Sequence, residues 1–450
     1  MARVAAAIGL MGFWLLSPAV AAWGPLSPGA CWAATAGGDG GYGEPGWPDG
    51  AGGSGRAVEV DGITGPKTSI SGFIEAIRSQ GLKGPGKTIT SRVKLRLEAA
   101  LEFEGLYGLA SAQAERNWAI GSETGIDLHE VWIEHVGEGF DVRVGRQIII
   151  WGKADGIQIT DLVCPPDYTE FITRGLDEIR QPVEAARLRF LGRVVNLELI
   201  WIPFFRAGVS PRPGNPWYLG DPARGPGWEA RELKPGGSLG DGEIAMKASA
   251  FLPGLDFAAS VFYTHDDFPV LGPIVPGQGG TPGFRESRFR RMTVLGLEMS
   301  RPTGNLVIRA ETAALLGQRR QNPDPLGQPV RQDGLKWLFG LDWTPGDDWT
   351  VSGQLAADQI LGRNKAGLPP ESYTATLNVS KKLFNQILTV TNMIYGDINN
   401  SGFYDSLKVE YEAMDGLIIS VGTDIFWGHE GRFALYRDNS QAWAKVKYYF

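Results

Sequence analysis

The chain closes on Gln441-Ala-Trp-Ala-Lys-Val-Lys-Tyr-Tyr-Phe450. Ala442, Ala444, Val446, Tyr448 and Phe450 share one parity, and Trp443, Lys445, Lys447 and Tyr449 share the other. Successive side chains of a strand point to opposite faces. One face of this segment is therefore apolar with an aromatic end, and the other carries two lysines. A strand that is oily on one side and charged on the other suits a wall between lipid and a wet lumen.

The same alternation recurs upstream. Between Arg92 and Glu104, one face is Val93, Leu95, Leu97, Ala99, Leu101 and Phe103, and the other holds Arg92, Lys94, Arg96, Glu98, Glu102 and Glu104. The run exceeds the roughly five or six residues typical of soluble strands. It matches the roughly 9–11 residues that a tilted strand needs to cross a bilayer. Trp337, Phe339, Leu341 and Trp343 oppose Lys336 and Asp342, and Leu407, Val409, Tyr411 and Ala413 oppose Lys408, Glu410 and Glu412. A helical period of 3.6 would mix these sets.

Short turn signals such as Gly137-Glu-Gly139, Pro253-Gly254, Pro345-Gly-Asp-Asp348 and Asp415-Gly416 alternate with longer segments near 107–124, 153–183, 205–240, 267–286, 318–333 and 428–439. Short turns on one side and long loops on the other predict an all-β, antiparallel transmembrane barrel with a periplasmic short side. Between residues 90 and 450 the pattern gives about sixteen strands. Ser69 to Ser79 also reads as a strand, so eighteen is the other even count. The apolar–polar alternation around Arg146 slips relative to Val142 and Val144, which predicts a β-bulge there.

The first 21 residues read as a signal peptide: Arg3, the apolar stretch Val4 to Leu16, and the A-x-A site Ala19-Val20-Ala21. Residues 22–67 are a Gly/Pro-rich segment that cannot bury a core, and the barrel is expected over 68–450. The formal net charge of -7 argues against a nucleic-acid surface. A mean hydropathy of -0.12 is compatible with a barrel, whose strands dilute apolar residues with lumen residues. The two cysteines, Cys31 and Cys164, sit in unlike contexts. No haem or zinc spacing occurs, so no cofactor or metal is expected. His129 and His135 share a predicted strand face but lie roughly 20 Å apart, too far to hold one ion. His265 beside Asp266 is the one grouping a rim hydrolase would use, and solvated rim residues explain it as well, so no enzyme is expected.

The densest polar stretch begins at Gly145-Arg-Gln-Ile-Ile-Ile-Trp-Gly-Lys-Ala-Asp155 and continues through Asp161-Leu-Val-Cys-Pro-Pro-Asp167 to Arg174, Asp177, Glu178 and Arg180. Here the chain resembles a family of proteobacterial outer-membrane barrels of unknown function. Members carry a Gly-Arg-Gln…Trp-Gly strand end followed by an Asp…Asn-Pro-x-Asp loop. Gly145, Arg146, Gln147, Trp151, Gly152, Asp161, Pro166 and Asp167 match, whereas the Asn before Pro is replaced, the sequence reading Cys164-Pro165-Pro166. Similar strand ends occur in anion-selective and alginate-exporting porins. The resemblance implies a porin-like channel in the outer membrane and names no cargo.

A loop of roughly 30 residues rich in proline and paired charge is a candidate constriction. Its candidate lining residues are Arg146, Asp155, Asp161, Asp167, Arg174, Asp177, Glu178 and Arg180. Arg92, Lys94, Arg96, Arg143, Arg187 and Arg189 form either a basic ladder for anionic solutes or one half of an ion-pair network. The expected function is passive diffusion of small polar or anionic solutes. The alternative is uptake of hydrophobic molecules through a greasy mouth patch of Phe204, Phe205, Trp217, Tyr218, Trp228, Phe268, Val270, Leu271 and Ile274. The expected partners are outer-membrane lipid, a small-molecule solute and the barrel-assembly machinery, the last reading Phe450, Tyr448 and Val446 as an insertion signal.

Overall fold

Period-two alternation becomes a closed wall. The computed structural model describes residues 65–84, 86–154, 156–220, 228–277, 283–322, 324, 327–364, 367 and 371–450. Eighteen antiparallel strands form one barrel. They are β1 (Lys67–Gly81), β2 (Ser91–Phe103), β3 (Leu106–Asn117), β4 (Gly125–Gly137), β5 (Phe140–Gln147), β6 (Val183–Leu191), β7 (Val195–Ile202), β8 (Glu243–Leu252) and β9 (Leu255–His265). The ring continues with β10 (Arg291–Thr303), β11 (Leu306–Leu316), β12 (Gly334–Gly346), β13 (Trp349–Ile360), β14 (Glu371–Leu383), β15 (Leu388–Asp397), β16 (Gly402–Met414), β17 (Leu417–Gly428) and β18 (Gln441–Tyr449). Each strand pairs with its neighbours in sequence, and β1 pairs with β18 from Phe73↔Tyr449 to Gly81↔Gln441. Closure leaves no open edge, the condition for strands to cross hydrocarbon.

The two strands beyond sixteen are β1 and β3. The outward positions of β3 are Leu106, Gly108, Ala110, Ala112, Ala114 and Arg116. Small side chains blur the hydrophobic period, so this stretch reads as part of a long segment. The β2–β3 turn is Glu104-Gly105, with φ of 46° and 78°. Asp347-Asp348 has the same sense, at 51° and 58°, the primed geometry that suits two-residue hairpins.

The wall faces sort as the alternation predicts. Leu97, Leu101 and Phe103 face outward and are exposed, while Arg92 and Lys94 on the same strand are buried inside. Phe103, Phe190, Phe251, Trp343, Trp349 and Tyr448 ring the outer face near the short turns. Trp118, Trp201, Tyr263 and Trp427 ring it near the long loops. Two aromatic girdles mark the interfaces of a spanning barrel.

Three local expectations change. No bulge occurs at Arg146: the β4–β5 register runs unbroken from Val131↔Arg146 to Gly137↔Phe140. The extra residue is His129, one strand away, where the β3–β4 register shifts. The bulge buries His129, whereas His135 stays exposed, its ring 6.2 Å from Phe140, so the two histidines do not share a face. The interior is also not polar throughout. Near the long-loop rim its wall carries Phe262, Val294, Leu338, Met393, Tyr395 and Phe426, all nearly fully buried.

The closing seam depends on one glycine. Phe450 N–H donates to the Gly72 carbonyl and the Phe450 carbonyl oxygen accepts from Gly72 N–H, both at 3.0 Å. A Cβ on Gly72 would lie 2.3 Å from the Arg96 carbonyl oxygen and 3.1 Å from the Phe450 ring. Gly72→Leu is predicted to destabilise the barrel by about 1–3 kcal/mol, the usual cost of overpacking. Urea unfolding in lipid vesicles, followed by tryptophan fluorescence, checks this; an unchanged midpoint contradicts it.

Candidate functional site

The wall opens inward after β5. Gln147 is fully buried and donates through Nε2 to the Ala185 carbonyl at 3.0 Å, ending the ladder against β6. Beyond it, backbone donors leave the sheet and take side-chain acceptors. Ile148 N–H donates to Glu130 Oε1 at 2.8 Å, Ile149 N–H to Cys164 Sγ at 3.2 Å, and Trp151 N–H to Asp161 Oδ1 at 2.9 Å. Cys164 is a free, buried thiol, and burial pushes its pKa up to about 12. Gly152 follows at φ 83°, where a Cβ would meet Thr160 Oγ1 and Glu311 Oε2 near 3.0 Å. Only glycine gives both that backbone and that approach.

Residues 148–182 then cross the interior. At one end Thr160 Oγ1 donates to Glu311 Oε2 on β11 at 2.9 Å, and Lys153 Nζ meets Asp256 Oδ2 on β9 at 2.8 Å. Arg309 on β11 donates to the Lys153 carbonyl. At the other end Arg92 on β2 binds Glu170, and also Glu178 at 3.0 Å, while Lys94 binds Glu178. Arg174 completes the knot, 3.1 Å from Glu170 and 3.4 Å from Asp167. β2 and β11 stand half-way round the ring from each other. The segment therefore spans the barrel from wall to opposite wall. Arg180 clamps its two arms through Asp161 at 2.7 Å.

Between the anchors the segment packs apolar groups against the wall. Phe171 stacks on Tyr436 at 4.0 Å between ring centroids and contacts Trp217, Phe426 and Phe433. Its φ is 54°, a left-handed backbone that costs a bulky residue about 1–3 kcal/mol. The buried aromatic cluster holds it there.

The charge knot is neutralised in place. Burial opposes ionisation of Glu170, yet Arg92 and Arg174 hold its carboxyl below the usual range. Burial likewise opposes ionisation of Glu178, which Lys94 and Arg92 hold well below that range. Arg174 is raised despite burial by Glu170 and Asp167.

Half of the candidate lining residues converge here. Asp161, Asp167, Arg174, Glu178, Arg180, Arg92 and Lys94 all take part in the crossing segment or its anchors. Arg146 does not: it sits 3.5 Å from Asp127 and 3.8 Å from Glu184, on the outward parity of Val142 and Val144. Asp155 lies outside the described residues, and Asp177 falls in the short helix Leu176–Ile179. The remaining basic residues are paired on the wall. Arg143 binds Glu134 at 3.0 Å, Arg187 binds Glu198 at 2.7 Å, Arg189 binds Asp141 at 2.8 Å, and Arg96 donates to Gln113 at 3.0 Å. That is the network arrangement, not an open ladder.

Phe450, Tyr448 and Val446 share the outward face of β18. Of the expected mouth patch, Trp217, Phe268, Val270 and Leu271 are buried and Phe205 packs on His265 and Phe289, while Phe204 is exposed and Tyr218 and Ile274 are half-buried. Trp228 begins a strand whose first side chains lie outside the described residues. Glu170, Lys153, Thr160 and Glu311 were not singled out as site residues. Glu170 had one legible cue, an i+4 partner in Arg174 within a proline-flanked loop.

A closed eighteen-strand wall with a loop folded inside defines a porin-type barrel. The family described as "Protein of unknown function (DUF1302)" matches residues 122–450, and the chain belongs to it. In fold it is similar to a BenF-like porin from Pseudomonas fluorescens, at TM-score 0.50 and 9% identity, over 86% of this chain and 98% of that one. It is equally similar to OccK11 (OpdR) of Pseudomonas aeruginosa, also at TM-score 0.50 and 9% identity, over 86% of this chain and 96% of that one. No curated protein matches the sequence.

The lowered carboxyls set a pH window. Their pairing stabilises the anchored segment above the unfolded value of about 4.3 and is lost as pH falls through the depressed folded values. Hydrogen exchange over residues 163–182, corrected for intrinsic rate, is predicted to stay flat from neutral pH to about 5 and to rise only below about 4.3. A rise centred near neutrality contradicts this. Arg92→Ala leaves buried Glu75 without its ion-pair partner and takes one partner each from Glu170 and Glu178; it is predicted to cost on the order of 3 kcal/mol, read in the same exchange experiment.

Proposed function

We propose that the chain is an outer-membrane channel for passive diffusion of small polar solutes, with residues 148–182 as its constriction. The observation that carries this reading is the pair of anchors on opposite walls. A segment tied to both β2 and β11 narrows whatever path runs beside it, and it presents fixed charges of both signs. The polar wall near the short turns, including Glu98, Glu298, Asp342 and Ser352, supplies the hydrophilic half of that path.

The paired state of Arg92, Lys94, Arg143, Arg187 and Arg189 supports a channel without strong anion preference. The burial of Trp217 and Phe268 speaks against a hydrophobic route. In this reading the long-loop rim faces outward and the short-turn rim faces the periplasm. Residues 1–21 direct export, residues 22–67 lead in from the periplasmic side, and Phe450, Tyr448 and Val446 are the strand end that the barrel-assembly machinery reads.

Planar-bilayer recording tests the channel. The wild-type protein is predicted to give small ohmic steps in potassium chloride, with a reversal potential close to zero across a salt gradient. Replacing residues 165–179 by a short Gly-Ser linker is predicted to raise the step size several-fold. Silence from both proteins contradicts conduction, and steps of equal size contradict the constriction.

A further inference from the structure

The crossing segment leaves a cavity on the side of β9 to β12, with about 670 Å³ of empty space continuous with solvent. The part of it open to water-sized groups is about 60 Å³, enough for only a small ligand. Asp266 and Asp267, which follow β9, line it together with His265, Gln318, Tyr168 and Phe268.

Lys336 of β12 also lines the cavity, and against its single ammonium the acceptors are in excess. Neither aspartate makes an ion pair with a described residue. Asp266 takes only the Phe268 N–H at 3.3 Å and Gln318 Nε2 at 3.4 Å, both long. The Asp267 carboxylate has no hydrogen-bond partner among the described residues. Burial, then Asp266 and Glu243, push the Asp267 carboxyl well above the usual range, against a partial offset from Lys336 on β12.

Two nearly buried side chains beside the pair are also unsatisfied. His265, 5% exposed, has no hydrogen-bond partner at Nδ1. The nearest acid, Glu243 Oε1, is 3.6 Å away and already accepts from Thr264 Oγ1 and His265 N–H. Gln318, 9% exposed, has no partner at Oε1. Buried polar atoms without partners are costly, so His265 Nδ1 and Gln318 Oε1, beside the half-buried carboxylates of Asp266 and Asp267, describe a place that a donor-rich cation completes. Tyr168 and Phe268, stacked 5.7 Å apart and 9° from parallel, add an aromatic wall, which favours a cation with an apolar stem. A metal ion fits poorly, because no group of three His, Cys, Asp or Glu among the described residues is arranged to hold one.

We infer that this cavity is a binding subsite for a small organic cation, a primary ammonium on a short apolar stem, held by Asp266 and Asp267 with Gln318 Oε1 and His265 Nδ1. The inference deepens the channel reading and rests on it for its role as a stop along the solute path. Binding itself needs no conduction.

Calorimetric titration of the full-length protein in detergent micelles with n-butylammonium tests it, with butyrate as the size-matched anion. Saturable binding of butylammonium and none of butyrate is expected. Affinity should fall at least about tenfold in Asp266→Asn/Asp267→Asn, provided that variant keeps wild-type gel migration unboiled. Gln318→Leu, expected to weaken binding less, replaces it if the double variant does not fold. No saturable binding, equal binding of butyrate, or undiminished binding by the folded variants overturns the subsite. Conductance without butylammonium binding defeats the subsite alone; binding without conductance defeats the channel alone.

Discussion

A strand that crosses a bilayer has no water to satisfy its backbone, so every N–H and C=O in the wall must find a partner within the protein. The rest of this structure follows from that demand. It forces the sheet to close, which brings the last strand against the first and sets Phe450 on Gly72. It turns an oily parity outward along the strands and sets most of the wall's charged side chains inward. The interior then becomes the only place where the long segment after β5 can bury its apolar side chains.

That burial is organised from two sides. Lys153 and Thr160 reach the β11 side, and Glu170 and Glu178 reach β2. The β2 anchor is a buried charge cluster, costly if one member is removed and stable only when complete; the other joins buried Glu311 to Thr160 beside the part-exposed Lys153–Asp256 pair. Aromatic packing around Phe171 fills the space between them and sustains its left-handed backbone. The wall basic residues divide the same way: those on β2 hold the segment, and those on β5 and β6 are satisfied by Glu134, Asp141 and Glu198. A channel built so carries much charge while presenting little net charge of either sign.

Much of the wall was legible in the sequence, because lipid on one side and polar groups on the other impose a period of two. β2 and β18 read correctly residue by residue. β3 did not, since Gly108, Ala110, Ala112 and Ala114 face lipid without the bulk that reveals a period. The apolar interior near the long loops was hidden for the opposite reason. Val261-Phe262-Tyr263 and Trp337-Leu338-Phe339 are apolar on both faces, a pattern that marks where something packs from within. In the site, charge density picked out residues 155–180 but not what they touch. Arg146 was misplaced because its partners come from β4 and β6, and the β11 anchor was invisible because about 150 residues separate Thr160 from Glu311. Such pairings follow from ring geometry, which one sequence does not spell out.

The crossing is tested most directly by cross-linking the segment to each wall in turn. In a Cys164→Ser background, one variant pairs Lys94→Cys with Glu178→Cys, and another pairs Thr160→Cys with Glu311→Cys. A short bis-maleimide applied to the folded protein in micelles should link both pairs within single chains, seen by mass spectrometry of the tryptic peptides. If only one pair links, or neither, the segment does not run from β2 to β11 and the bore is not spanned.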